Sequence, residues 1–169
     1  CVQDEQAVIY LFDTEKEKIS SSYSFGKHGD YEDIAVSKDT AWVLESNGTI
    51  YKVTKFSDEN RETFIYPTVL SARNNPEGLA YDLSDNNLLI ACKNQSQIKG
   101  HEKLTGFKAI YSFRTTDNNL KENPEFLIYL AQFTDYEETR YFRKVSLKLA
   151  KRLNLVDNAG FQPSGLAIH

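Results

Sequence analysis

Apolar residues in this chain gather in short runs of strand length, separated by Asn-, Asp- and Gly-containing turns. AVIYLFD (7–13), TAWVLESN (40–47), GTIYKVT (48–54), NNLLIACKN (86–94) and KAIYSFR (108–114) are examples. Their β-branched and aromatic content suits a pleated surface, so the pattern predicts an all-β fold. Only RKVSLKLAKRLNL (143–155) shows a helical period. There Val145, Leu149 and Leu153 fall at i, i+4 and i+8 and predict a helical insertion. The regular helices that a parallel βαβ fold needs between its strands are missing.

The runs repeat. HGDYEDIAV (28–36), NNPEGLAYD (74–82) and GFQPSGLAIH (160–169) each pass from a turn, through Glu or Ser and a small or acidic residue, into an aliphatic-Ala strand. Glu32, Glu77 and Ser164 occupy the same place in the motif. The first two lie 45 residues apart (77 − 32), and Ser164 follows after 87 (164 − 77), close to twice that spacing. A second set shares an Ile-Tyr pair: Ile9-Tyr10, Ile50-Tyr51 and Ile110-Tyr111. TAWVLESN and NNLLIACKN stand between the two sets, CVQDEQ fits the end of that intermediate type, and ETFIYPT or EFLIYLAQF follows as a further strand.

Four short strands per unit, at about 45 residues per unit, predict blades of a β-propeller. A sandwich would also show many short strands, but not one motif recurring at blade spacing. The expected division is the end of one blade at 1–18, a blade at 19–57, a blade at 58–116 and a partial blade at 117–169. QSQIKGHEKLTGF (95–107), polar and glycine-punctuated, reads as an exposed loop insertion. The chain has no Met and starts and stops in strand-like runs, so a segment of a longer ring is expected.

In a propeller the first strand of each blade lines the central channel. Glu32 and Glu77 would then face one another near one channel mouth, where two carboxylates repel and burial raises the cost. Three arrangements answer this. A hard cation such as Ca²⁺ could bind them through oxygen ligands; a basic side chain, with Lys93 the candidate, could pair with them; or the acids could simply be solvated at a wide, wet mouth. A further ring of strand-end groups, Asp4, Glu5, Glu45 and Lys93, would join Asp30 and Glu32 in an acidic funnel, and binding residues collect at such loop ends.

Composition narrows the function classes. The net charge is −4, so no basic surface for nucleic acid or anionic lipid is present. No apolar run approaches the roughly 20 residues needed to cross a bilayer. Of the two cysteines, Cys92 sits in an apolar strand and reads as a small buried side chain, and two thiols make no disulfide framework. A first-position Cys1 matches the acylated residue of a bacterial lipoprotein, but no polar tether follows it. Neither a G-x-S-x-G elbow nor an H-E-x-x-H motif is present, and no His or Asp partner for Ser164 is identifiable. His28 lies beside Asp30 and Glu32 in KHGDYED, a group that reads as acid–base, as metal-binding or as plain surface. Asn47-Gly48 reads as a hairpin turn.

Taken in order, VQDE, AVIYLFD, GDYEDIAV, WVLESNGTIYKV, NNPEGLAYD, NLLIACK and FQPSGLAIH resemble the SdiA-regulated family of bacterial six-bladed β-propellers over most of the chain. The resemblance implies that the chain starts late in one blade and ends within a later one. It implies a cell-envelope protein held by an anchor outside this segment, with Cys1 an internal strand residue. That family is similar to calcium-binding, phytase-like and esterase-like propellers, which implies Glu32 and Glu77 as channel acids with Asp4 and Glu5 nearby. The expected function is binding of a ligand or metal at the channel, with a small molecule or a protein as partner. The alternatives are a calcium-dependent hydrolase of phosphate or other esters and a protein-interaction scaffold.

Overall fold

A computed structural model describes residues 1–133 and 162–168. The helical insertion expected at 143–155 lies outside the described residues. Strands β1 (Val8–Asp13) and β2 (Lys18–Ser24) pair antiparallel, and Val2 bridges Ile9 on the other side of β1. Strands β3 (Tyr31–Ser37), β4 (Thr40–Glu45), β5 (Ile50–Thr54) and β6 (Glu62–Tyr66) form a four-stranded antiparallel meander in sequence order. A second meander starts with β7 (Pro76–Asp82), β8 (Asn87–Cys92) and β9 (Phe107–Arg114). Its outer edge is shared: β10 (Asn119–Leu120) pairs with one end of β9 and β11 (Phe126–Tyr129) with the other.

The described residues are therefore all-β, in antiparallel sheets, with one short 3-10 turn at Leu130–Phe133. The Ile-Tyr runs are β1, β5 and β9. The sheets span 31–66 and 76–129, displaced from the 19–57 and 58–116 divisions, because ETFIY folds back on β5 and FLIY on β9. Local chemistry sets the hairpins. Gly48 takes φ +90° between β4 and β5, and Asn47 Oδ1 accepts from the Thr49 amide at 2.8 Å. A Cβ on Gly48 would lie 2.7 Å from Leu70 Cβ, so the position excludes any side chain. At the β7–β8 turn Asn86 takes φ 54°, a left-handed conformation that asparagine tolerates.

The sheets stack face to face. In β4 four consecutive residues are buried, and they divide by the two-residue strand period. Ala41 and Val43 join Ala7, Ile9, Phe25 and Tyr31 in a core against the β1–β2 sheet. Trp42 and Leu44 point the other way and join Leu79, Leu88, Ile90, Tyr111 and Phe113 in a core against the β7–β9 sheet. The middle sheet is thus covered on both faces, which is why AWVL is continuously apolar rather than alternating. Trp42 meets Phe113 edge-on with ring centroids 6.1 Å apart, and Phe25, Tyr31 and Tyr51 form a T-shaped aromatic triad on the other side.

Segment 95–107 is not simply exposed. Ser96 and Ile98 are buried, and the Tyr111 hydroxyl donates to the Ser96 carbonyl at 2.6 Å. Its polar residues serve as anchors, which composition alone does not distinguish from solvated ones.

Candidate functional site

The two motif glutamates share a structural peculiarity. In the β3–β4 pair, Tyr31 opposes Glu45 and Asp33 opposes Leu44, leaving Glu32 unmatched in a β-bulge. In the β7–β8 pair, Pro76 opposes Cys92 and Gly78 opposes Ala91, leaving Glu77 unmatched in the same way. A bulge inserts one residue, bends the strand and re-aims its side chain. The recurring acid of the sequence motif is therefore the bulge residue of two neighbouring strands, since β3 and β7 run against each other.

Between the two bulges, the next motif position stitches the sheets together. Asp33 uses both carboxylate oxygens: Oδ1 accepts from the Ile34 amide at 2.8 Å, and Oδ2 from the Leu79 amide across the sheet boundary at 2.7 Å. Burial pushes the Asp33 carboxyl above its ordinary range, and these two backbone bonds oppose the rise. At the equivalent position of β7 stands Gly78. A Cβ there would lie 2.9 Å from the Gly165 carbonyl carbon and 3.1 Å from the Leu166 nitrogen. The third motif thus passes directly beside β7, and glycine is what admits its backbone.

Glu77 is neutralised locally. Its Oε1 accepts from Lys93 Nζ at 2.7 Å and from Asn75 Nδ2 at 2.7 Å, with the Glu77 side chain only 12% exposed. Of the three arrangements the sequence allows, a basic partner holds for this acid. Glu32 is different. Among the described residues no cation lies within ion-pair distance of it. Burial pushes its carboxyl up first, then the negative charges of Asp30, Glu77 and Asp4, and Lys93 only partly opposes them.

The predicted funnel is therefore assembled in part. Asp4, Asp30, Glu77 and Lys93 all come within electrostatic reach of Glu32. Backbone bonds place the first two: the Tyr31 amide donates to the Asp4 carbonyl at 2.7 Å, and the Ser46 amide to the Asp30 carbonyl at 2.8 Å. Glu5 lies alongside through its carbonyl, which accepts from the Gly29 amide at 3.2 Å, while its side chain is exposed. Glu45 does not join. Its Oε2 accepts from the Tyr51 hydroxyl at 3.0 Å, on the aromatic side of the middle sheet. In register its counterpart is Cys92 and not Lys93, and one residue along a strand is the opposite face. Ser164 is exposed and precedes the Gly165 backbone that meets Gly78, and no hydrogen bond joins it to a His or Asp among the described residues. His28 is exposed and forms no ion pair with Asp30 or Glu32.

Sequence reading missed Asp33 and Asn74. Asp33 was visible only as a departure from glycine in the motif, and Asn74 as one of two turn asparagines. No group of three or more His, Cys, Asp and Glu side chains is arranged to hold a metal ion among the described residues. No protein-family model, no curated protein and no solved structure matches the chain.

Proposed function

We propose that this chain is part of a β-propeller that binds a positively charged ligand at the acidic mouth formed by neighbouring blades. The face-to-face stacking of the sheets and the adjacent first strands β3 and β7 support the propeller reading. Six blades and a bacterial envelope location follow from the family resemblance; no described helix is long and apolar enough to cross a membrane.

One observation carries the binding reading: two equivalent bulges project Glu32 and Glu77 together, and Lys93 pairs with only one of them. Four carboxylates with one ammonium leave an excess of negative charge that a cation entering the site offsets. The grouping fits an organic ammonium or guanidinium, which donates hydrogen bonds to separate carboxylates, better than Ca²⁺, which needs six to eight oxygens converging on one point.

Calorimetric titration with spermidine and, separately, with CaCl₂ tests the reading. Spermidine is expected to bind the parent chain and to lose affinity in Glu32→Gln. Binding of CaCl₂ that is abolished by the same substitution supports the acidic site and assigns it to the metal. If neither titrant binds, or if Glu32→Gln binds both as the parent does, the acidic mouth is not the site.

A further inference from the structure

A half-open cavity of about 580 Å³ opens beside the acidic cluster, and its charge is of the opposite sign. Arg73, Lys103 and Lys108 line it, and among the described residues no carboxylate does. Among the described residues no ion pair engages any of the three. Three cations lining one cavity without a counter-charge give it a positive potential, which favours an entering anion. The Lys108 ammonium is fixed in the wall by donating to the Lys93 carbonyl; burial holds its pKa below the ordinary lysine value, with Cys92 opposing the fall and the nearby Lys93 charge adding to it.

The walls suit more than a bare ion. Asn94 and Gln95 contribute amides able to donate and accept, matching hydroxyl groups. Leu104 and Phe107 offer an apolar side against which the C–H face of a ring can rest. The cavity is also built in advance of any ligand. Buried Asn74 holds the Gln95 and Gln97 carbonyls, each at 2.9 Å. The Leu104 amide donates to Gln97 Oε1 at 3.3 Å, closing the loop on itself. A preformed wall lowers the ordering cost of binding.

We infer that this cavity binds a small anionic, hydroxyl-rich molecule, a sugar phosphate or a sugar acid, with Arg73 and Lys103 taking the charged group. The site shares no residue with the acidic cluster, so it stands or falls separately from the function proposed above.

The test is calorimetric titration of the 169-residue chain with glucose 6-phosphate, glucuronate, glucose and inorganic phosphate. One or both anionic sugars are expected to bind, and which one does so assigns the charged group to phosphate or carboxylate. Glucose and inorganic phosphate should bind at least tenfold more weakly, and added salt should weaken the binding. Arg73→Gln and Lys103→Gln should each cost about tenfold in affinity, the scale of one charge-assisted hydrogen bond. Both side chains are exposed, so the variants should melt as the parent does. Glu32→Gln should bind the sugars unchanged. The inference is overturned if no anion binds at millimolar concentration or if both Gln variants retain parental affinity. It is also overturned if glucose or inorganic phosphate binds as tightly as the anionic sugars.

Discussion

Replacing Asn74 with Ala should be among the most damaging single changes in the β7–β9 sheet, although the residue carries no hydrophobic surface. Asn74 is 1% exposed and uses its whole side-chain amide. Both Nδ2 protons are donated, to the carbonyls of Gln95 and Gln97 at 2.9 Å each. Its Oδ1 accepts from the Ser71 amide at 3.2 Å and the Ser71 hydroxyl at 3.3 Å. The alanine variant takes the partner from two carbonyls, one amide and the Ser71 hydroxyl. A net bond is worth about 1 kcal/mol and a stranded buried group about 1–3, and the carbonyls can partly regain water, so a loss of about 3 kcal/mol is expected. For a chain of this length that is a fall of about 6–12 °C in melting temperature. Urea unfolding followed through the fluorescence of Trp42, the single tryptophan, measures it at the interface between two sheets. Asn74→Asp is the sharper probe. It keeps the Ser71 bonds but sets a carboxylate against two carbonyl oxygens, so it should lose at least as much as alanine at neutral pH and recover as the carboxyl protonates. Ser71→Ala removes only the longest bond and should cost less than about 1 kcal/mol. A loss under about 1 kcal/mol for Asn74→Ala, or parental stability for Asn74→Asp, would refute the anchoring role.

The acidic cluster around Glu32 predicts a pH signature. Because the folded Glu32 carboxyl is raised, its protonated form favours the fold, and that contribution is lost as pH rises through the folded value. Glu32→Gln should therefore match the parent below the ordinary carboxylate range and exceed it in melting temperature at neutral pH and low salt; a parent equal to or more stable than the variant there contradicts the clustering. Gly78→Ala should cost about 1–3 kcal/mol through overpacking, because the new methyl meets backbone at 2.9 Å and Ala91 Cβ at 3.2 Å; an unchanged urea midpoint would mean the third motif does not lie there. Thiol labelling of the native chain should modify Cys1, which is exposed, and spare Cys92, whose thiol burial pushes up to about 12. Two thiols reacting at equal rates before denaturant is added would contradict the packing of β8.

Much of this architecture could be read from residues because it depends on patterns local to each strand. The Ile-Tyr runs, the continuously apolar AWVL and the recurrent Glu all follow from which face of a strand is covered, and that leaves a trace every second residue. Register leaves no such trace. Glu45 and Lys93 both end an intermediate strand, so they look equivalent in sequence; only the pairing of Tyr31 with Glu45 and of Pro76 with Cys92 shows they are one position out of step. The bulges at Glu32 and Glu77 were hidden for the same reason, since a bulge is defined by the partner strand. Likewise QSQIKGHEKLTGF is polar enough to pass for a solvated loop, and the bonds that hold it come from Asn74, some twenty residues earlier.

The position after each bulge shows how one motif tolerates different residues. Beside each bulge, β3 and β7 are tied to the backbone that packs against them, and the chain does this in two chemically distinct ways. Asp33 spans the gap to β7 with a carboxylate that takes the Leu79 amide, a bond that requires a side chain of that length and an acceptor at its end. Gly78 has no side chain to span anything; the next backbone instead comes close enough that a methyl would collide with it. Exchanging the two residues should fail in both directions. Asp33→Gly strands the Leu79 amide, and Gly78→Asp drives a carboxylate into the 165–166 backbone. The apparent looseness of the motif at this place is a fixed choice at each boundary, made by how close the neighbouring backbone lies.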